Sequence, residues 1–165
     1  MAEGAKRILV LGVGNILFTD EGTGVRLVEK LQAEYEFPEN VTLMDGGTLG
    51  SRLMGPIMEA DALIVADAVL AGKEPGTVVR LTGDGLRKSL AFKDSLHQSD
   101  LVDTLIYCDL AGHKPADVVV IGMEPFDYQT MSVELSPVVA GRLTKMAGAV
   151  LDEISRAGGT FRPKN

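Results

Sequence analysis

Three acidic residues of the sequence stand where an apolar segment ends, which is where a carboxylate can meet a ligand. Glu21 lies in a glycine-bordered loop, and Asp45 and Asp67 each close a short apolar run. Two carboxylates and one imidazole, such as that of His97, form an oxygen and nitrogen donor set that suits a divalent ion such as nickel or zinc. Each residue alone is also compatible with a solvated surface position. Spacing therefore leaves a metal site as one of several hypotheses.

The glycines before Glu21 raise the alternative of a nucleotide-binding loop. Gly12 and Gly14 follow an apolar run, as in the dinucleotide-binding fingerprint, but that fingerprint has a third glycine where this sequence has Leu17. The next acid, Asp45, lies further along the chain than the spacing of about 20 residues that the fingerprint requires. The sequence contains no Gly-Lys-Ser or Gly-Lys-Thr, which a P-loop needs. A nucleotide-binding α/β module therefore stays only as an alternative.

Nucleophilic hydrolase chemistry has little support in the sequence. A catalytic serine or cysteine needs a histidine base beside it. The chain has two histidines, His97 and His113, and no Gly-x-Ser-x-Gly elbow. The single cysteine, Cys108, lies in an apolar helical context that is typical of an inert core thiol.

Apolar periodicity predicts an α/β fold: an open, mostly parallel twisted sheet of about five strands with helices on both faces. The runs at 7–13 and 62–67 are apolar almost throughout, as in strands covered on both faces, whereas the run at 77–82 alternates in part and fits an edge strand. Ligands of such sheets bind outside the carboxyl ends of the strands, where the three acids fall. The predicted strands are 7–13, 41–45, 62–67, 77–82 and 117–123, and the predicted helices are 22–34, 49–59 with an interruption near Gly55 and Pro56, 95–108 and 136–157.

Composition indicates a single domain over residues 1–165 with a frayed, disordered tail at about 158–165. The chain has 16 basic and 23 acidic residues and a net charge of −7, which disfavours binding to nucleic acid. One cysteine fits a reducing compartment, and the first residues have the pattern of neither a signal peptide nor a spanning helix. We expect a cytoplasmic monomer that binds neither nucleic acid nor membrane.

Six segments resemble, in the same order, motifs of the hydrogenase maturation endopeptidases, which trim the C-terminus of the large subunit of nickel-iron hydrogenases. The resemblance covers residues 7–157. Thr23 stands where this family often has a larger apolar residue, and residues 127–131 match no family pattern. The segments are Gly-Val-Gly-Asn-Ile-Leu-Phe-Thr-Asp-Glu-Gly-Thr-Gly-Val at 12–25, Asp-Gly-Gly-Thr at 45–48, Ala-Asp-Ala at 66–68, Ser-Leu-His-Gln at 95–98, Gly-Met-Glu-Pro at 122–125 and Leu-Ser-Pro at 135–137.

The resemblance implies a three-layer α/β/α sandwich with a metal-binding set of Glu21, Asp67 and His97 and with Asp45 beside them. It implies an aspartic-type endopeptidase that removes the C-terminal extension of the large-subunit precursor after nickel insertion and thereby activates the hydrogenase. The resemblance further implies that nickel arrives on the precursor, and zinc or cadmium can occupy the same site. The general base is left open among Asp45, Glu21 and Asp67. The alternative function is a non-catalytic, metal-dependent chaperone of the precursor.

Overall fold

The computed structural model of the chain describes residues 5–47, 53–83, 85 and 108–165. Its central sheet contains the strands β1 (Ile8–Val13), β3 (Val41–Gly47), β4 (Ala62–Ala68), β5 (Val78–Leu81) and β6 (Asp117–Met123), and a separate pair consists of β2 (Tyr35–Glu36) and β7 (Arg162–Pro163). The order across the central sheet is β3-β1-β4-β6-β5. All neighbours are parallel except β5, which runs antiparallel to β6. The predicted mostly parallel sheet of five strands is confirmed.

The burial of the strands follows their apolar patterns. Every residue of β1 and β4 is buried, as expected from runs without polar interruption in strands that have neighbours on both sides. The partly alternating β5 pairs with β6 alone and is only half-buried, so the predicted edge strand is also confirmed.

Helices cover both faces of this sheet. They are α1 (Thr23–Glu34), α2 (Met54–Glu59), α3 (Pro137–Ala140) and α4 (Leu143–Arg156), and a 3-10 turn (Thr19–Gly22) precedes α1. Side chains of α1, α3 and α4 pack with one face, and those of α2 and Cys108 pack with the other. On α4, the side chains of Met146, Val150 and Ile154 are fully buried, and each such side chain contributes roughly 1.5–3 kcal/mol. The three-layer α/β/α arrangement is thus present.

The single helix predicted over 136–157 is wrong, because the chain breaks it into α3 and α4. Ser136 and Pro137 do begin the first of these helices, as predicted. Gly141 and Arg142 then leave the regular pattern, and the Arg142 amide donates to the Val139 carbonyl three residues back instead of four. Glycine costs about 1 kcal/mol in a helix interior, which makes Gly141 a weak point.

Two further predictions need correction. The tail expected to be frayed pairs instead through β7 with β2, and the Phe161 ring packs edge-on against Tyr35 at a centroid distance of 5.8 Å. The interruption expected near Pro56 is absent from α2, because that residue is the third of the helix, where a missing amide hydrogen breaks no helical bond. The helix predicted at 95–108 lies almost wholly outside the described residues. None of the described helices is both long enough and apolar enough to span a bilayer.

Candidate functional site

The strands that lead into the three acids are neighbours, so their carboxyl ends share one edge of the sheet. The register of β1 aligns Gly12 with Asp45 of β3 on one side and with Ala66 of β4 on the other. Asp67 follows Ala66 directly, and Glu21 lies in the 3-10 turn between β1 and α1. Because strands are spaced by roughly 4.8 Å, the strands of Asp45 and Asp67 are about 10 Å apart. The placement of these acids at one edge is confirmed, whereas their roles stay predictions.

Asp45 and Asp67 approach this edge from opposite faces of the sheet. Residues in register share a face, so Asp45 lies on the same face as Gly12. This is the face that α1 covers, because a Cβ added to Gly12 would stand 2.7 Å from Val28 of α1. Asp67 is one residue beyond Ala66 and points to the other face, because side chains alternate along a strand. Asp67 is fully buried, whereas Asp45 is exposed.

Two glycines allow the backbone around Glu21 to pack closely against the strand ends. Gly14 has φ +128°, and a Cβ there would stand 1.9 Å from the Glu21 carbonyl oxygen. A Cβ on Gly24 would stand 2.0 Å from the carbonyl oxygen of Ala66, the residue before Asp67. No other residue type fits these contacts. They bring the backbone around Glu21 into direct contact with the end of β4.

Asp20, the neighbour of Glu21, is a buried carboxylate that binds its own chain. Its Oδ2 accepts hydrogen bonds from the amides of Phe126 and Asp127 at 2.9 and 3.0 Å and from the Ser136 hydroxyl at 2.7 Å. Its Oδ1 accepts one from the Ser136 amide at 2.8 Å. These four bonds fix the segment 126–136 against the loop after β1, and we refer to them as the Asp20 clasp. Asp20 is therefore engaged with its own chain, and its surroundings differ from those of its neighbour Glu21.

Glu124, just after the end of the neighbouring strand β6, is likewise a carboxylate that binds backbone amides of its own chain. It is 7% exposed, and its Oε1 accepts hydrogen bonds from the amides of Ala71 and Lys73 at 2.9 and 3.0 Å. These bonds hold the loop that follows β4. Sequence reasoning did not single out Glu124 or Asp20, although Glu124 follows an apolar strand just as the predicted site acids do. An acid that follows an apolar strand is therefore predicted to lie at this edge, but this pattern does not distinguish acids that bind a ligand from acids that hold the chain together.

The described residues contain part of the predicted metal-binding set. Glu21, half-buried, and Asp67, buried, are hard oxygen donors on adjoining backbone segments, which fits the oxygen part of a divalent-ion site. Across 5–47, 53–83, 85 and 108–165, no three His, Cys, Asp or Glu side chains group as a metal site. The predicted third ligand, His97, lies outside those ranges, so the complete set stays a prediction.

The one thiol is placed as a core residue. Cys108 is fully buried among the side chains of α2 and the sheet, and burial raises the pKa of its thiol. A raised pKa keeps the sulfur protonated at neutral pH, whereas a nucleophilic cysteine needs the thiolate. The interpretation of Cys108 as an inert core cysteine is confirmed.

Fold and site together define an α/β/α sandwich protein with a cluster of acids at the carboxyl edge of its parallel strands. A family model described as hydrogenase maturation protease matches residues 25–153. The chain is 44% identical to the hydrogenase expression/formation protein HupD of Bradyrhizobium diazoefficiens over 83% of this chain and 72% of that protein. It is 38% identical to the hydrogenase 2 maturation protease of Escherichia coli over 92% of this chain and 93% of that protein.

A solved structure leads to the same group of proteins. The hydrogenase maturating endopeptidase HybD of Escherichia coli superposes with a TM-score of 0.88 at 36% identity, covering 96% of this chain and 98% of that one. The chain belongs to the hydrogenase maturation protease family. The family resemblance of the sequence motifs is thereby confirmed.

Proposed function

We propose that the chain is an endopeptidase that removes the C-terminal extension from the large-subunit precursor of a nickel-iron hydrogenase after nickel has been inserted. Two independent facts support the proposal. The first is membership of the hydrogenase maturation protease family. The second is the placement of Glu21 and Asp67 on adjoining backbone segments at the carboxyl edge of the sheet, and this second observation carries the assignment of the site.

Nickel belongs to the substrate in this proposal, and the chain recognises it with its own side chains. Glu21, Asp67 and His97 offer two carboxylates and one imidazole, and in binding the metal they orient the peptide bond next to it, an effect of proximity. The metal when bound supplies Lewis acidity to that bond. A carboxylate oxygen that is not engaged by the metal would take the proton from water. Asp45, Glu21 and Asp67 are the candidates for this role, and Asp45 and Asp67 approach the edge from opposite faces of the sheet.

The test uses two forms of the precursor, one loaded with nickel and one without it. We expect the nickel-loaded form to lose the mass of its C-terminal extension and the nickel-free form to stay intact. Cleavage of both forms at equal rates would overturn nickel recognition while leaving the endopeptidase activity in place. An intact precursor that nevertheless binds tightly would favour the non-catalytic chaperone. Stabilisation of the protein by a nucleotide and not by nickel or zinc would favour the nucleotide-binding alternative.

Two substitutions test the assigned residues. We expect Asp67→Asn and His97→Ala each to slow cleavage by more than about 100-fold, since even the outer partners of metal ligands cost 10–100-fold when they are replaced. The matched controls are Asp109→Asn and His113→Ala, which change the same side chains at exposed positions and should cleave normally. Normal cleavage by either site variant would remove that residue from the proposed site.

A further inference from the structure

Four large apolar side chains are exposed on the two segments that meet beside Glu21. The exposed fractions are 49% for Leu17, 67% for Phe126, 74% for Met131 and 56% for Val133. We refer to these four residues as the apolar patch. Single exposed apolar residues are ordinary, whereas several on adjoining segments form a candidate interaction surface. Aromatic residues and methionine are also enriched in the interfaces between proteins.

The apolar patch is preformed, because hydrogen bonds hold the two segments together. The Ser132 amide donates to the Leu17 carbonyl at 2.8 Å, and the Thr19 amide donates to the Ser132 carbonyl at 2.9 Å. The Asp20 clasp holds the Phe126 amide at 2.9 Å. A surface that is ordered before binding loses little conformational entropy when a partner covers it. The patch is therefore suited to a partner that docks without remodelling it.

Position and charge indicate the kind of partner. Leu17 lies four residues before Glu21, and the Glu21 amide donates to the Phe18 carbonyl at 3.0 Å, so the patch begins beside the candidate site. The second segment carries Asp127 and Glu134 beside the patch, and the protein as a whole has a net charge of −7. A complementary surface has an apolar centre with lysine or arginine at its rim. A folded protein whose cleavable segment enters the site lies next to the patch and is in position to present such a surface.

We infer that the apolar patch docks the folded body of the hydrogenase precursor while the C-terminal extension occupies the site at the edge of the sheet. This inference rests on the proposed function and adds a second contact, away from the cleaved bond, that sets affinity for the precursor. Recognition then depends on Phe126 and Met131, which touch neither the metal nor the reacting peptide.

The test compares the double variant Phe126→Ser, Met131→Ser with the control Leu110→Ser, in which a side chain with 79% exposure changes in the connection leading to the amino end of β6. KM for cleavage of the nickel-loaded precursor and the Kd of the precursor are measured for each protein. We expect both constants to rise by at least about tenfold in the double variant and to stay unchanged in the control. Both proteins should melt at the wild-type temperature, because the altered side chains are exposed. If the double variant unfolds, Met131→Ser alone takes its place.

The outcomes separate this inference from the proposed function. Wild-type cleavage with equal KM and Kd in the double variant overturns docking at the patch and leaves the protease in place. A wild-type protein that binds the precursor without cleaving it overturns the proposed function, and the Kd of the double variant still decides whether the patch docks the precursor. A wild-type dimer in sedimentation that becomes a monomer in the double variant assigns the patch to a second copy of this chain and overturns the inference.

Discussion

Two loops meet at the carboxyl edge of the sheet, and they are held there by different means. The loop at 14–22 is held by backbone contacts that leave no room for a Cβ at Gly14. The segment at 124–136 is held by the carboxylate of Asp20, while the side chains of Phe126 and Met131 point to solvent. The first loop carries Glu21 and the second carries most of the apolar patch.

Under the proposed function, this difference separates the loop that takes part in the reaction from the segment that recognises the precursor. A loop fixed by its own backbone keeps a catalytic acid in one position, but it does not tolerate substitution at the contact points. A segment that is fixed through its backbone amides tolerates substitution of its outward side chains, because the Asp20 clasp does not depend on the types of those side chains. The resemblance in sequence agrees with this division, since 12–25, 122–125 and 135–137 resemble family motifs and 127–131, which carries Met131, resembles none.

The largest expected effect comes from adding one methyl group at Gly24, in the first turn of α1 directly after the first loop. In Gly24→Ala the new Cβ would stand 2.0 Å from the Ala66 carbonyl oxygen and 2.6 Å from that of Val13. Backbone atoms cannot move aside as a flexible side chain can, so we expect a loss of at least about 3 kcal/mol in the free energy of unfolding. Denaturant unfolding monitored by circular dichroism measures it.

The matched control for this change is Gly148→Ala in α4, where no atom lies within 4 Å of an added Cβ. Alanine is the better helix former, so the control should gain about 0.5–1 kcal/mol. If Gly24→Ala proved as stable as the wild type, the close packing of the start of α1 against β4 would be wrong.

Much of the fold could be predicted because its strongest signals are local. The continuous apolar runs of β1 and β4 are typical of strands covered on both faces. The break at Gly141 and the pairing of β7 with β2 could not be predicted. The first depends on whether tertiary contacts offset one weak helix former, and the second joins residues that lie 126 positions apart in the chain.

The site could be predicted only in part, for a related reason. Strand ends located Glu21 and Asp67, because an acid after a buried strand is visible in the sequence. The role of Asp20 was not visible, since its donors Phe126 and Ser136 lie 106 and 116 residues away. Types and spacing therefore identify acids at the edge, whereas their partners decide which acids are structural.

A smaller effect is expected from removing the Asp20 clasp. Asp20→Ala removes the carboxylate that accepts four hydrogen bonds. The amides of Phe126, Asp127 and Ser136 and the hydroxyl of Ser136 then lose this acceptor. A buried donor left without an acceptor costs about 1–3 kcal/mol, and water can reach the more exposed donors, so we expect about 2–3 kcal/mol in total. Because the apolar patch depends on the clasp, KM for the precursor should rise as well. Chemical denaturation and steady-state cleavage provide the two measurements.

Two variants serve as references for that experiment. Asp20→Asn retains one acceptor oxygen and should recover part of both losses. Glu29→Gln neutralises an exposed acid that pairs with Arg26 on α1, and surface pairs of this kind are worth about 0–1 kcal/mol. A loss for Asp20→Ala no larger than that for Glu29→Gln would mean that the segment 126–136 is held in place by other contacts.

The smallest expected effect concerns a turn inside the second loop and depends on pH. The hydroxyl of Thr130, together with the amides of Thr130 and Gln129, lowers the pKa of Asp127 below its ordinary value of 3.8. Because the folded-state pKa is the lower one, the stabilisation is complete above about pH 4 and disappears as the pH falls through the folded-state pKa. Asp127→Asn should thus be less stable than the wild type at pH 7 and equal to it in strong acid, by denaturant unfolding at both pH values.

Asp127→Ser, which keeps an acceptor but does not titrate, should follow the Asn variant at every pH. A gap between the wild type and Asp127→Asn that stayed constant down to pH 2 would show that the charge of Asp127 does not order the loop, and the apolar patch would then depend on the Asp20 clasp and on the backbone hydrogen bonds of Ser132.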